Sequence, residues 1–123
     1  MPFQIKRIYE AANKDDGLRI LIDRLWPRGI SKERARLDGW LKEVAPSPDL
    51  RKWFGHDPDK FDLFRQRYLE ELRSDEQKKA RLSELYALGK KGLVSLLYGA
   101  KSPSVNHAVV LMEFLDSHMK RVK

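Results

Sequence analysis

Two runs of this chain leave little choice of environment: Leu18-Arg19-Ile20-Leu21-Ile22-Asp23 and Gly92-Leu93-Val94-Ser95-Leu96-Leu97-Tyr98. Both are short and nearly all apolar, and both are closed by polar clusters. An alternating strand can leave one face in water. A run that does not alternate must be covered on both faces, which is the pattern of an inner strand in an α/β sheet. The two strands are expected side by side and parallel at the centre of the sheet. Residues 24–28 and 101–107 then emerge at one edge.

The rest of the chain supplies partners for those strands. Phe3-Gln4-Ile5-Lys6-Arg7-Ile8-Tyr9 alternates, as a half-buried strand does. Asn13-Lys14-Asp15-Asp16-Gly17 is a turn cluster, and so short a link predicts an antiparallel hairpin with the strand that follows. Ser31 is placed to cap a short helix running to about Leu37. Asp38–Val44 reads as a short helix or turn, and Asp49–Phe54 as another short helix with Leu50, Trp53 and Phe54 inward. A long amphipathic helix from Asp59 carries Phe61, Phe64, Tyr68, Leu69 and Leu72 on one face. A second, restarted at Ser74-Asp75-Glu76, carries Leu82, Leu85 and Leu88. A last helix from near Asn106 carries Val109, Val110, Met112, Phe114 and Leu115 and ends in polar residues 120–123. Trp40 and Trp53 are expected in the core with Phe54, Phe61 and Phe64, because large rings need a surface to bury against. The fold class is α/β: a small mixed or mostly parallel sheet of three to four strands with helices packed on it. With 123 residues it reads as a single domain, with a charged tail from about residue 116.

Composition removes several kinds of chemistry. There is no cysteine, which excludes disulfides, thiolate nucleophiles and cysteine-ligated metal centres. No apolar stretch approaches the ~20 residues of a membrane span, and the N-terminus has no signal-like core. The protein is therefore expected in the cytoplasm, with no membrane partner. The net charge of +7 is spread evenly. Residues 1–60 hold 13 Lys and Arg against 10 Asp and Glu, and residues 61–123 hold 12 against 8. A basic protein of this kind has either a solvated surface or a phosphate-binding face. Neither glycine-rich phosphate loop is present, and His56, His107 and His118 lack zinc spacing. No cofactor and no metal are expected.

Three clusters can carry chemistry. The first is Asp23-Arg24-Leu25-Trp26-Pro27-Arg28-Gly29, at a strand's carboxyl end, where open α/β sheets collect ligands. Arg24 and Arg28 offer planar forks for phosphate or carboxylate oxygens, and Trp26 offers a stacking surface. The structural alternative is an ion pair of Asp23 with Arg24 or Arg28 that merely fixes the turn. The second cluster follows Tyr98: Lys101, Asn106 and His107. A helix N-terminus presents free N–H groups to an anion, and an imidazole can move a proton near neutrality. The structural alternative is a capping Asn106 and a packed His107. The third is the aromatic stretch from Pro46-Ser47 to His56-Asp57, with Arg51, Trp53, Phe54 and His56, which lies over the core as a lid or satellite cluster. Ser47 has no G-x-S-x-G context for a hydrolase elbow.

Read in order, Leu21-Ile22-Asp23-Arg24-Leu25-Trp26-Pro27-Arg28-Gly29, Trp40, Ala45-Pro46-Ser47, Leu50-Arg51-Lys52-Trp53-Phe54, Phe64-Arg65-Gln66-Arg67-Tyr68, Leu96-Leu97-Tyr98-Gly99-Ala100-Lys101 and Asn106-His107-Ala108 form a pattern. It resembles the short, YeaO-like branch of domain-of-unknown-function family 488. The resemblance runs from about Ile5 to Leu115. It implies a small bacterial or archaeal α/β protein and no particular activity. Longer members look to carry Cys where Tyr98 stands, and Cys-His-Arg where Asn106-His107-Ala108 stands. Thiol chemistry therefore does not transfer, and the shared parts are the strand-end Asp-Arg and the helix-start His. No helix-turn-helix pattern supports a role as a transcription regulator.

The function expected from these residues is an enzyme or binder for an anionic small molecule, phosphate- or nucleotide-like. Arg24, Arg28 and Lys101 hold the anion, and Trp26 or Tyr98 stacks on a ring. His107 moves a proton and is oriented by Asn106 or Asp23. His107 and Asp23 are the catalytic candidates; Arg24, Trp26, Arg28, Tyr98, Lys101 and Asn106 are the ligand-binding ones. The alternative class is a non-catalytic module binding nucleic acid or protein.

Overall fold

The computed structural model describes residues 2–121, with side chains through residue 119. Its four strands are β1 (Phe3–Arg7), β2 (Leu18–Leu21), β3 (Gly39–Trp40) and β4 (Val94–Tyr98), ordered β1-β4-β2-β3 and paired in parallel throughout. Leu96 faces Ile5 on one side and Ile20 on the other. Every residue of β4 is buried, as its unbroken apolar run requires.

Side chains alternate between two covers. Ile20, Ile22, Val94, Leu96 and Tyr98 face the helices α2 (Pro48–Phe54), α3 (Phe61–Ser74), α4 (Glu76–Lys91) and α5 (His107–Arg121). Phe64, Tyr68, Leu72, Leu82, Leu85, Leu111 and Leu115 complete that core. Leu21 and Leu97 face the other way. They pack with Ile8, Ile30 and Ala35 under loops and the short α1 (Lys32–Ala35). Ser31 caps α1 through its Oγ, which accepts the Arg34 N–H at 3.1 Å.

On this second face a buried carboxylate joins the sheet to its cover. Asp16, 3% exposed, accepts from Lys6 at 2.9 Å and from Arg19 at 2.5 Å. Its carbonyl accepts Ser95 Oγ at 2.6 Å. Residues 8–17 therefore run back over β4.

That path overturns the expected hairpin. β1 and β2 are not neighbours, because β4 is inserted between them and both pair with it in parallel. Residues 39–40, expected as helix or turn, form an edge strand on β2. Trp40 consequently lies at the sheet's margin and is 36% exposed. Its ring meets Trp26 edge-on at 5.5 Å and lies under Lys42. Trp53 is half-buried between the cations Arg67 and Lys60. The side chains of residues 120–121, and all of residues 122–123, lie outside the described residues. Among the described residues no helix is long and apolar enough to cross a membrane.

Candidate active site at two strand ends

The parallel pairing of β2 and β4 brings two loops together at their carboxyl ends. Asp23 Oδ2 accepts the Gly99 N–H at 2.9 Å. A side chain at Gly99 would put its Cβ 3.0 Å from that oxygen, so the absence of one allows the close approach. On the other side of Asp23, His107 Nε2 lies 3.0 Å from the Ile22 carbonyl and 3.4 Å from Asp23 Oδ1. A carbonyl oxygen only accepts, so Nε2 carries the proton.

Asn106 sets where His107 begins its helix. Its Oδ1 accepts the Val109 N–H at 3.0 Å and its Nδ2 donates to the Ser102 carbonyl at 2.8 Å. Asn106 is 1% exposed, and its cap occupies one of the N–H groups expected to face an anion.

A cavity of about 420 Å³ opens at this junction. It is lined by Asp23, Arg24, Trp26, Arg28, Asn106 and His107 from the two sequence clusters. Arg51 and His56, both exposed, and the buried ring of Phe54 close it from the third, with the buried ring of Phe64 from α3. Two expected residues do not join them. Tyr98, 2% exposed, follows Val94 and Leu96 into the helix-side core, and Lys101 lies exposed outside the cavity. Arg51 and His56 were legible only as members of an aromatic segment, with no local signal for the site.

Arg24 is aimed by a second layer. Its guanidinium donates to the Ala45 and Pro46 carbonyls, each at 3.3 Å. That loop is held by Glu71 on α3, which accepts Ser47 N–H at 2.9 Å and Ser47 Oγ at 2.6 Å. Ser47 Oγ in turn accepts the Leu50 N–H and caps α2. Ser47 is thus a structural hinge pin.

Charge in the site is arranged unusually. Burial raises the Asp23 pKa, opposed by His107, the Gly99 N–H, His56 and Arg51. Burial lowers the His107 pKa, opposed by Asp23 and the Ile22 hydrogen bond and reinforced by His56. The dominant cause of the lowered His107 pKa is thus desolvation. Asp23 Oδ1 is buried without a hydrogen bond. Among the described residues Asp23 forms no ion pair with Arg24 or Arg28, and Arg24, Arg28 and Arg51 form none with any carboxylate. Among the described residues no group of three His, Asp or Glu is placed to hold a metal ion.

Comparison with known proteins gives a family. A family model described as "Inactive DUF488-N3 subclade" matches residues 2–123. "Uncharacterized protein YeaO" of Escherichia coli (strain K12) is 47% identical over 117 residues, covering 95% of this chain and 99% of that protein. "Uncharacterized protein Mb3100c" of Mycobacterium bovis and "Uncharacterized protein Rv3073c" of Mycobacterium tuberculosis are each 41% identical over 113 residues, covering 92% of both chains. No solved structure matches.

Proposed function

The chain belongs to the DUF488-N3i family, and from that premise we propose that it is a binder of a small anionic molecule with a phosphate- or nucleotide-like group. One observation carries the reading. Three arginines, Arg24, Arg28 and Arg51, line a single cavity with no carboxylate partner among the described residues. Guanidinium groups without an ion-pair partner around a concavity are matched by an oxyanion, which Arg28 and Arg51 can grip in a bidentate fork, while Arg24, whose Nε and Nη2 already donate to carbonyls, adds its charge. Phe54, Phe64 and Trp26 give the same cavity an apolar wall for a ring.

Asp23 and His107 form the proton-handling pair of this site. In a catalytic version, His107 Nδ1 is the base and Asp23 orients the ring. The family's description as inactive supports the binding version. The reading keeps the cytoplasmic setting expected from the sequence. A nucleic-acid module gains no specific support, since the unpaired arginines converge on a concavity rather than on an open face.

Calorimetric titration of the full chain with inorganic phosphate and adenosine monophosphate tests the reading. Both are expected to bind. Arg24→Ala and Arg51→Ala are expected to weaken them, while Arg36→Ala, remote from the cavity, leaves them unchanged. Absence of binding by both probes, or equal binding by all variants, refutes it.

A further inference from the structure

Resting on that reading of the cavity, we propose that the bound anion must carry its own hydrogen-bond donor: a phosphoryl group bearing a hydrogen, with sulfate and sulfonate groups rejected. The reasoning starts from one proton. Two acceptors face His107 Nε2, the Ile22 carbonyl at 3.0 Å and Asp23 Oδ1 at 3.4 Å. They fix the tautomer, because moving the proton to Nδ1 would leave three lone-pair-bearing atoms crowded together without a hydrogen.

The ring's other nitrogen is then an acceptor. Nδ1 makes no hydrogen bond among the described residues, and His107, whose side chain is 15% exposed, lines the cavity. The groups around the imidazole on every side are Asp23 from the end of β2, Arg24 beyond it, Arg51 and His56 from α2 and the turn after it, and Tyr68 from α3. Burial disfavours the charged ring, and so does His56. The resting wall of the site therefore offers a lone pair, flanked by guanidinium donors.

An oxyanion drawn in by the arginines meets that lone pair. A bare oxygen gives acceptor against acceptor, which repels. An oxygen with a hydrogen gives an O–H···N bond and keeps its charge for the arginines. Hydrogenphosphate and sulfate have the same shape and the same charge, and they differ by that hydrogen. Hydrogenphosphate keeps that hydrogen around neutrality, whereas a phosphate monoester, with its second pKa near ~6, has mostly lost it and takes one proton from solvent on binding. Sulfate can bind only if the imidazole first takes a proton from solvent, against its burial.

The test is calorimetric titration of the full chain at pH 7.5 with sodium phosphate and sodium sulfate at matched ionic strength. Phosphate is expected to bind about tenfold to a hundredfold more tightly, the range for one hydrogen bond to a charged group. His107→Gln, which presents an amide N–H that any oxyanion accepts, is expected to bring the two affinities together. Should that variant not fold, titrating the wild type in buffers of different ionisation enthalpy serves instead: sulfate binding is expected to take up a proton and phosphate binding less. Equal wild-type affinities overturn the hydrogen requirement while leaving an anion site in place. No binding of either ion overturns the anion site itself, and this inference with it.

Discussion

Asp23→Asn removes one acceptor and almost no volume, and the structure fixes what must follow. The aspartate faces two donors, the Gly99 N–H at 2.9 Å from Oδ2 and the His107 Nε2–H at 3.4 Å from Oδ1. Asparagine has one oxygen. If that oxygen keeps Gly99, the amide nitrogen faces Nε2–H, donor against donor. The flipped amide sets the same conflict against Gly99 at the shorter distance. The first arrangement is relieved if the imidazole proton moves to Nδ1 and Nε2 accepts from the new amide. The Ile22 carbonyl, 3.0 Å from Nε2, then has no donor.

Leaving one buried acceptor unpaired costs about 1–3 kcal/mol. For 123 residues and an unfolding entropy of about 2.1 cal/mol/K per residue, this lowers Tm by roughly 4–12 °C. Long-range proton–nitrogen NMR correlation of the His107 ring reads the tautomer directly, and a thermal melt reads the cost. The wild type is expected as the Nε2–H form and the variant as the Nδ1–H form. A protonated Nδ1 donates to a bare oxyanion as well, so the variant's preference for phosphate over sulfate should fall. An Asp23→Asn protein that retains the Nε2–H form and melts with the wild type refutes the argument.

Asp16→Asn removes the counter-charge of Lys6 and Arg19, which keep only the Ala11 and Ala35 carbonyls, and is expected to cost about 3–5 kcal/mol in urea unfolding, as for a broken buried pair; Glu76→Gln, from an exposed pair with Lys79, costs less than about 1 kcal/mol. Burial raises the Asp16 pKa, but hydrogen bonds from Lys6, the Asn13 N–H and Arg19 outweigh it and hold it below its ordinary value. Its contribution is therefore present above an unfolded pKa of about 3.9 and is lost as pH falls through the lower folded value, a loss absent from the Asn variant. Tyr68→Phe leaves the Val44 carbonyl, 2.7 Å from the buried hydroxyl, without its donor and is expected to cost about 1–3 kcal/mol by the same assay. Gly17→Ala combines φ +65° with a Cβ driven into the Leu93 carbonyl oxygen. It should destabilise by more than about 1 kcal/mol, and an unchanged melt would show that the turn relaxes freely.

What the sequence discloses here follows the range of each signal. Non-alternating apolar runs report burial on two faces, so β2 and β4 were legible as central and parallel, and with them the meeting of Asp23 and His107. The β1–β2 relation was not legible, because the short-link rule holds for strands that pair and β4, more than seventy residues downstream, comes between them. Gly39–Trp40 is too short for any periodicity; only its pairing with Ile20 and Leu21 makes it a strand. The place of Tyr98 was legible in principle. Strand alternation puts it on the side of Val94 and Leu96, and its position at a strand end drew attention to the edge instead of the face. Arg51 and His56 had no such signal, since a separate helix carries them to the cavity.

The positive character of the cavity shows why charge arithmetic was silent about the site. The surplus of +7 is even along the chain, so no segment announces the gathering of three arginines at one cavity. The unevenness is made in three dimensions, by what the acids are already doing. Glu71 spends both oxygens on Ser47, and Asp57 caps the turn at Asp59. Asp23 is held by Gly99 and faces His107. With those carboxylates committed to backbone and imidazole, Arg24, Arg28 and Arg51 line one cavity without a direct ion pair among the described residues, Asp23 being the carboxylate that shares it. The Glu71–Ser47 bond fixes the loop whose Ala45 and Pro46 carbonyls aim Arg24. Glu71 is therefore a positioning residue for the site although it does not line the cavity, and no reading of local sequence could have assigned it that role.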